Sequence, residues 1–251
     1  KRVVFMGLKW VSDDPAPVSD VASWLLWAGP GLNGGMTLTQ HAAYLALAIW
    51  LARKLGDDAL GLKPKGLAYV VPAALGTLTI GVVGSWLAGF TRRILIDYPS
   101  PSKVVGDQLR DTDAAGWILL IVAVGLTGPI VEELIFRGYL WKAIASERGH
   151  LAAWIGTSAL FVLHHWDPIQ ATALIPVALF FGWLRWMSGS VWPPLAAHLT
   201  NNALALAVAL LGPERPETSV EVPAHLALSA FALTCSVGLA TWAILRVRNR
   251  E

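Results

Sequence analysis

Apolar residues run along this chain in long stretches that exclude charge. Segments 66–90 (25 residues), 114–131 (18), 186–213 (28) and 222–245 (24) contain no Asp, Glu, Lys or Arg. Each reaches or approaches the ~20 residues that a helix needs to cross a bilayer. Extending the pattern to the Pro and Gly breaks predicts helices over 36–54, 67–91, 114–128, 129–146, 151–165, 169–187, 190–211 and 223–246. The predicted fold class is therefore all-α, a polytopic transmembrane helix bundle. It has about eight spans if the chain turns over at Gly128-Pro129 and seven if 114–146 is one long kinked helix. No internal repeat, low-complexity tract or linker divides it, so 1–251 reads as a single integral-membrane domain.

Composition sharpens this picture. Hydrophobic residues make up 55% of the 251 positions and charged residues 14%, with a mean hydropathy of +0.55, far from soluble proportions. Trp10, Trp27, Trp50, Trp86, Trp117, Trp154, Trp166 and Trp192 fall near the ends of apolar runs, where amphipathic rings favour the headgroup region. A formal net charge of +2, with no basic block interleaved with aromatics, gives no indication of a nucleic-acid partner; the lipid bilayer is the expected one. Cys235 is the single cysteine, which argues against an internal disulfide, a Cys-based metal site and a Cys/His nucleophile. Segment 1–35 is expected to be cropped at its start and partly interfacial.

Orientation follows from the later loops. Arg148, Arg185, Arg246, Arg248 and Arg250 fall on one side, against Arg215 in the acidic loop on the other. The positive-inside rule then puts the C-terminus in the cytoplasm, with a bacterial cytoplasmic membrane as the expected location.

Three polar clusters interrupt the apolar pattern. An ionisable side chain near the bilayer centre costs roughly 2.5–3.5 kcal/mol on insertion scales, so such residues usually face the bundle interior and serve a function. In "TGPIVEELIFRGYL", Glu133 and Arg137 are i,i+4 and can pair along one helix face, while Glu132 is turned about 100° away. In "SALFVLHHWDP", His164 and His165 end an apolar helix; Phe161, one turn earlier, can pack under His165, and His164 points aside. In "GSVWPPLAAHLTNN", His198 and Asn202 share a face and can serve either as interhelical glue or as a paired donor site aimed at an oxygen.

Together these clusters supply the parts for attack of water on a carbonyl: a Glu/His pair to hold and deprotonate water, and a His/Asn pair to stabilise the oxyanion. A metal site is a rival, since two Glu and up to three His could bind zinc or a di-metal centre. There is no HExxH, however, and no Glu-x-x-His sharing a helix face. Further alternatives are a proton-coupled transporter with an intramembrane Glu/His relay, for which no half-repeat is visible, and a non-catalytic membrane scaffold.

"EELIFRG" (EExxxR), "FVLHH" (FxxxH ending at His165) and "HLTNN" (HxxxN) occur in the order and approximate separation seen in the CAAX-protease and bacteriocin-processing (CPBP) intramembrane proteases. The chain resembles that family over 129–202, with hydropathy alone in common elsewhere. The resemblance implies an eight-helix membrane endopeptidase with a buried site in a conical cavity. It implies Glu132 as the water-activating base assisted by His165, and His198 with Asn202 as the oxyanion site. Glu133 and Arg137, with Phe161 and His164 nearby, would support them. It further implies no cofactor, with zinc on Glu132, His165 and His198 as the alternative, and a membrane-associated protein or peptide as substrate. Members of a bacterial branch that trims C-terminal anchors would fit the expected topology, which places His165 near the outer end of its helix.

Overall fold

The computed structural model describes residues 37–54, 60–96, 98, 113–211 and 222–248. Every regular element among them is helical. We number the helices α1 (37–54), α2 (Leu67–Ile94), α3 (114–148), α4 (150–163), α5 (Pro168–Ser188), α6 (Trp192–Leu211) and α7 (Ala224–Arg248). The segment 1–35 and the residues Trp10 and Trp27 lie outside the described residues.

Gly128-Pro129 does not reverse the chain. Thr127 and Gly128 keep right-handed helical angles (φ −72°, ψ −36° and φ −56°, ψ −60°), and α3 continues through them. The proline is tolerated because the helix is already widened there: Ile121–Thr127 is a π-helical stretch in which the Gly128 N–H reaches back to Ala123 O. The structure thus takes the single-helix branch of the sequence expectation, and the separate spans 114–128 and 129–146 are corrected to one element. The reversal falls later, at Gly149, whose φ of 81° and ψ of 170° are open to a residue without a Cβ and separate α3 from α4.

Helix α2 lies against α5, α6 and α7. Its buried positions are Ala73, Gly76, Thr77, Ile80 and Gly84, mostly small, while Leu67, Val71, Leu75, Phe90 and Ile94 project outward. Small residues inward and large apolar ones outward is the arrangement expected where lipid is the solvent and close backbone approach drives association. At Gly84 a Cβ would collide with Ala173 O of α5, so the two backbones touch there. Thr79 and Thr91 add hydroxyl contacts to Thr234 of α7 and Thr172 of α5. Val177, Phe181 and Leu184 of α5 complete this core with Ala197 of α6. By length and composition Leu67–Ile94, Pro168–Ser188 and the stretch Ala114–Leu163, which holds α3 and α4, are long and apolar enough to cross a membrane, and the chain is an integral membrane protein.

Two turns are stitched together at one end of the bundle. Val191 N donates to Gly61 O at 3.0 Å, Ser190 Oγ to Lys63 O at 2.7 Å and Trp192 Nε1 to Leu62 O at 2.8 Å. This packs buried Leu60 beside Gly138 of α3. At the opposite end Asp167 caps α5, accepting from Ile169 N at 2.9 Å and Gln170 N at 3.3 Å, with Pro168 at the first helical position.

Candidate functional site

The three polar clusters converge inside the bundle. Arg137 is fully buried, and its Nη1 donates to Glu133 Oε1 at 3.2 Å while Nη2 donates to Ala178 O at 3.1 Å. Its guanidinium carbon lies 4.5 Å from the ring centre of Phe161 and 5.6 Å from that of Phe181. Charge, hydrogen bonds and cation–π contacts together offset the cost of placing a guanidinium here.

Glu133 does more than the expected pairing with Arg137, because its Oε1 also lies 2.8 Å from His198 Nδ1. An acceptor already bonded to Arg137 fixes that nitrogen as the donor, so His198 turns its Nε2 toward Glu132 Oε2, 3.7 Å away. Glu132 and Glu133 therefore flank the same imidazole instead of serving unrelated faces. Their environments differ: the Glu133 side chain is 1% exposed and that of Glu132 is 21% exposed. Glu132 opens into a cavity of about 530 Å³ between α1 and α3, which His164 also lines.

His165 reaches this centre from the end of α4. Its backbone N–H bonds to Val162 O, which leaves Phe161 O to accept from the side-chain Nδ1 at 2.9 Å. A carbonyl can only accept, so the second ring nitrogen, Nε2, is the one left for the site. Phe161 packs against both His165 and His198, with ring centres 5.0 and 5.6 Å apart. It is the apolar floor between the two histidines. His164 packs on Phe136 at 5.9 Å and lines the cavity with Glu132.

Asn202 ties α6 to α3, donating from Nδ2 to Val124 O at 2.8 Å and accepting from Asn201 at 3.3 Å. The π-helical ladder explains this contact. With Gly128 N–H bound to Ala123 O, the next N–H in the i→i+5 series would be that of residue 129, which is proline and has none. Val124 O is therefore left for a side chain to satisfy, and one of the two Asn202 amide hydrogens does so. Near the other wide stretch, Glu133–Leu140, Arg185 Nε of α5 donates to Arg137 O at 2.7 Å.

Among the described residues no group of three or more His, Cys, Asp or Glu side chains is gathered as metal ligands would be, and this includes the Glu132, His165 and His198 of the zinc alternative. One residue absent from the motifs also faces the centre. His41 of α1 bonds through Nδ1 to Thr127 Oγ1 at 2.8 Å and lines the cavity with Glu132. Its sequence signal was the polar Gln40, His41 and Tyr44 within an apolar helix, with no motif to mark them.

The arrangement is that of a buried carboxylate–imidazole centre in a membrane helix bundle. Residues 114–204 match the family described as Rce1-like, Type II CAAX prenyl endopeptidase Rce1-like. The matched segment contains all three motifs on which the CPBP resemblance rests. A Bacillus subtilis (strain 168) protein, YdiL, described as a candidate membrane peptidase, is 27% identical over 92 residues. That alignment covers 37% of this chain and 38% of YdiL, so the likeness spans well under half of either protein. No solved structure matches the chain at a significant level.

Proposed function

We propose that the chain is an intramembrane endopeptidase that hydrolyses a peptide bond of a membrane-associated substrate with water activated by Glu132. One observation carries this reading: of two adjacent carboxylates flanking one imidazole, Glu133 is sealed by Arg137 and His198, whereas Glu132 opens into the cavity. A base needs access to water and substrate; a positioning residue does not.

In the proposed step, water is held between Glu132 and the free Nε2 of His165. Glu132 takes a proton as the water oxygen bonds to the scissile carbonyl carbon. The resulting oxyanion is met by an N–H on Nε2 of a His198 ring that enters and leaves the step with both nitrogens protonated, and by the second amide hydrogen of Asn202. When the C–N bond breaks, the leaving amine receives the proton held by Glu132, which restores the carboxylate. Arg137 and Glu133 act through His198 by fixing its ring.

The endopeptidase activity for which the matching family is described supports peptide hydrolysis, and the bilayer supplies a substrate that is itself membrane-associated. The Lys and Arg pattern supports a cytoplasmic C-terminus in a bacterial cytoplasmic membrane. Lys63, Lys65 and Arg185 at the stitched end agree with Arg148 and Arg246 in sign. His165 then lies toward the outer face, which favours exported substrates such as C-terminal membrane anchors.

The test is mass spectrometry of membrane-protein termini in a deletion strain complemented with wild type or Glu132→Gln. Wild type is expected to restore a missing cut that Glu132→Gln, inserted at equal level, does not. Equal restoration by both would overturn the reading.

A further inference from the structure

Helix α1 lies outside the segment that carries the motifs, yet it forms one wall of the cavity into which Glu132 opens. Its inward stripe is His41, Tyr44, Ala48 and Leu51, at helical spacing. Leu45 and Ile49 are exposed, and Leu47 and Trp50, exposed as well, border the cavity at its rim. The stripe is polar at His41 and Tyr44 and apolar beyond them. Gln40 Nε2 donates to the Tyr44 hydroxyl at 2.9 Å, which fixes the polar end.

His41 is held in one orientation. Thr127 Oγ1 lies 3.2 Å from Ala123 O, a carbonyl to which its single proton goes, so it can only accept from His41 Nδ1. Nε2 is therefore the acceptor nitrogen of the neutral ring. The ring lies over Gly128, where a Cβ would come within 3.4 Å of Cε1 and 3.9 Å of Nε2. Gly128 is one helical turn before Glu132 on the same face of α3. Three histidines around Glu132 thus share one device: Nδ1 bonds to a fixed acceptor (Thr127 Oγ1, Phe161 O or Glu133 Oε1), and Nε2 is left for the site.

A peptide entering this cavity brings backbone N–H groups that lose water and need acceptors. In the proposed step Glu132 and His165 serve the water, while His198 and Asn202 are donors. None of them is assigned to a substrate N–H.

We infer that His41 is a substrate-binding residue, whose Nε2 accepts a hydrogen bond from a peptide N–H flanking the scissile bond, and that α1 is the wall against which the substrate strand is aligned. This rests on the endopeptidase reading.

The probe is a fluorescent peptide copied from the cut site mapped by the terminal mass spectrometry, with analogues in which each flanking amide N–H is replaced in turn by an ester oxygen. Binding is measured by anisotropy in detergent on the full chain carrying Glu132→Gln, with and without His41→Phe or His41→Gln. His41→Phe is expected to raise Kd about tenfold, the scale of one lost buried hydrogen bond. One ester analogue should lose about the same factor on the His41 protein and nothing further on His41→Phe. His41→Gln, which keeps an acceptor, should recover most of the affinity and carries the test should His41→Phe fail to fold. If every ester analogue loses affinity equally with and without His41, the assignment is overturned. Failure of the wild-type protein to cut the peptide would instead remove the endopeptidase reading, a result the binding pattern cannot mimic.

Discussion

Replacing Arg137 with Met is the sharpest test of how the site is held together. The substitution keeps an unbranched chain of similar reach but removes the Glu133 bond at 3.2 Å, the bond to Ala178 O at 3.1 Å and the ring contacts with Phe161 and Phe181. Ala178 O keeps a donor, because Ser158 Oγ lies 3.0 Å from it, so that loss is small. The ring contacts account for about 1–2 kcal/mol in a desolvated setting. Most of the effect comes from Glu133, which would stay buried with only His198 as partner. Removing one member of a buried ion pair costs about 3–5 kcal/mol, and that range is the expected loss for Arg137→Met. Pairing it with Glu133→Gln removes the stranded charge, so the double variant should be more stable than the summed single losses by at least ~1.5 kcal/mol. Thirteen tryptophans provide an intrinsic fluorescence signal for unfolding in mixed micelles. A loss below about 1 kcal/mol for Arg137→Met, or strict additivity in the double variant, would refute the view that Arg137 stabilises the site by neutralising Glu133.

Other outcomes follow from single contacts. Asn202→Leu should destabilise by about 0.6–1.7 kcal/mol, the range for interhelical hydrogen bonds in membranes. Much of that loss should vanish in a Pro129→Ala background, where a restored N–H can take Val124 O; equal losses in both backgrounds would show that the proline is not the reason for the contact. Gly84→Ala should lower thermal stability by roughly 1–3 kcal/mol, as overpacking at a backbone contact does, whereas Gly89→Ala, with open space around it, should not. In a Cys235→Ser background, single cysteines at 147–150 should react with an impermeant maleimide only from the cytoplasmic side. Cysteines at 212–222 should react only from the outside, and the reverse pattern would invert the expected orientation.

The helical class and the pairing of Glu133 with Arg137 were legible because both depend on short-range pattern, apolar run length and i,i+4 spacing. So was the packing of Phe161 beneath His165, for the same reason. Two features were not. Gly128-Pro129 carries the usual signature of a break, yet α3 passes through it because a π-helical register had already released the hydrogen bond that proline cannot make. The sharing of His198 by Glu132 and Glu133 was equally hidden: a 100° step per residue separates the two carboxylates on an ideal helix, and only the placement of α6 puts one imidazole between them. His41 lay beyond reach for a related reason: Gln40, His41 and Tyr44 stand out as polar within an apolar helix, but only the contact of α1 with α3 gives His41 its place at the cavity.

The wide stretches in α3 offer a physical account of how the carboxylate proposed as the base can be held in place within a bundle of smooth apolar helices. Dispersion between apolar side chains tolerates sliding and rotation, because lipid competes for the same contacts. A backbone carbonyl without its intrahelical donor does not, since leaving it bare in hydrocarbon costs several kcal/mol. Glu132 sits between two carbonyls bonded by side chains of other helices: Val124 O, whose i+5 donor is missing at Pro129, by Asn202 of α6, and Arg137 O by Arg185 of α5. Rotating α3 would break both ties together and take Glu132 away from His198. The Asn of the HxxxN motif would then have two duties, one amide hydrogen fixing the helix that bears the base and the other left for the oxyanion. Asn202→Asp separates them: rotated so that an oxygen faces Val124 O, the carboxylate repels that carbonyl and supplies no donor to an oxyanion, so stability and cleavage should fall together. In the Pro129→Ala background stability should return while cleavage does not. Recovery of cleavage along with stability would leave Asn202 a structural tie alone.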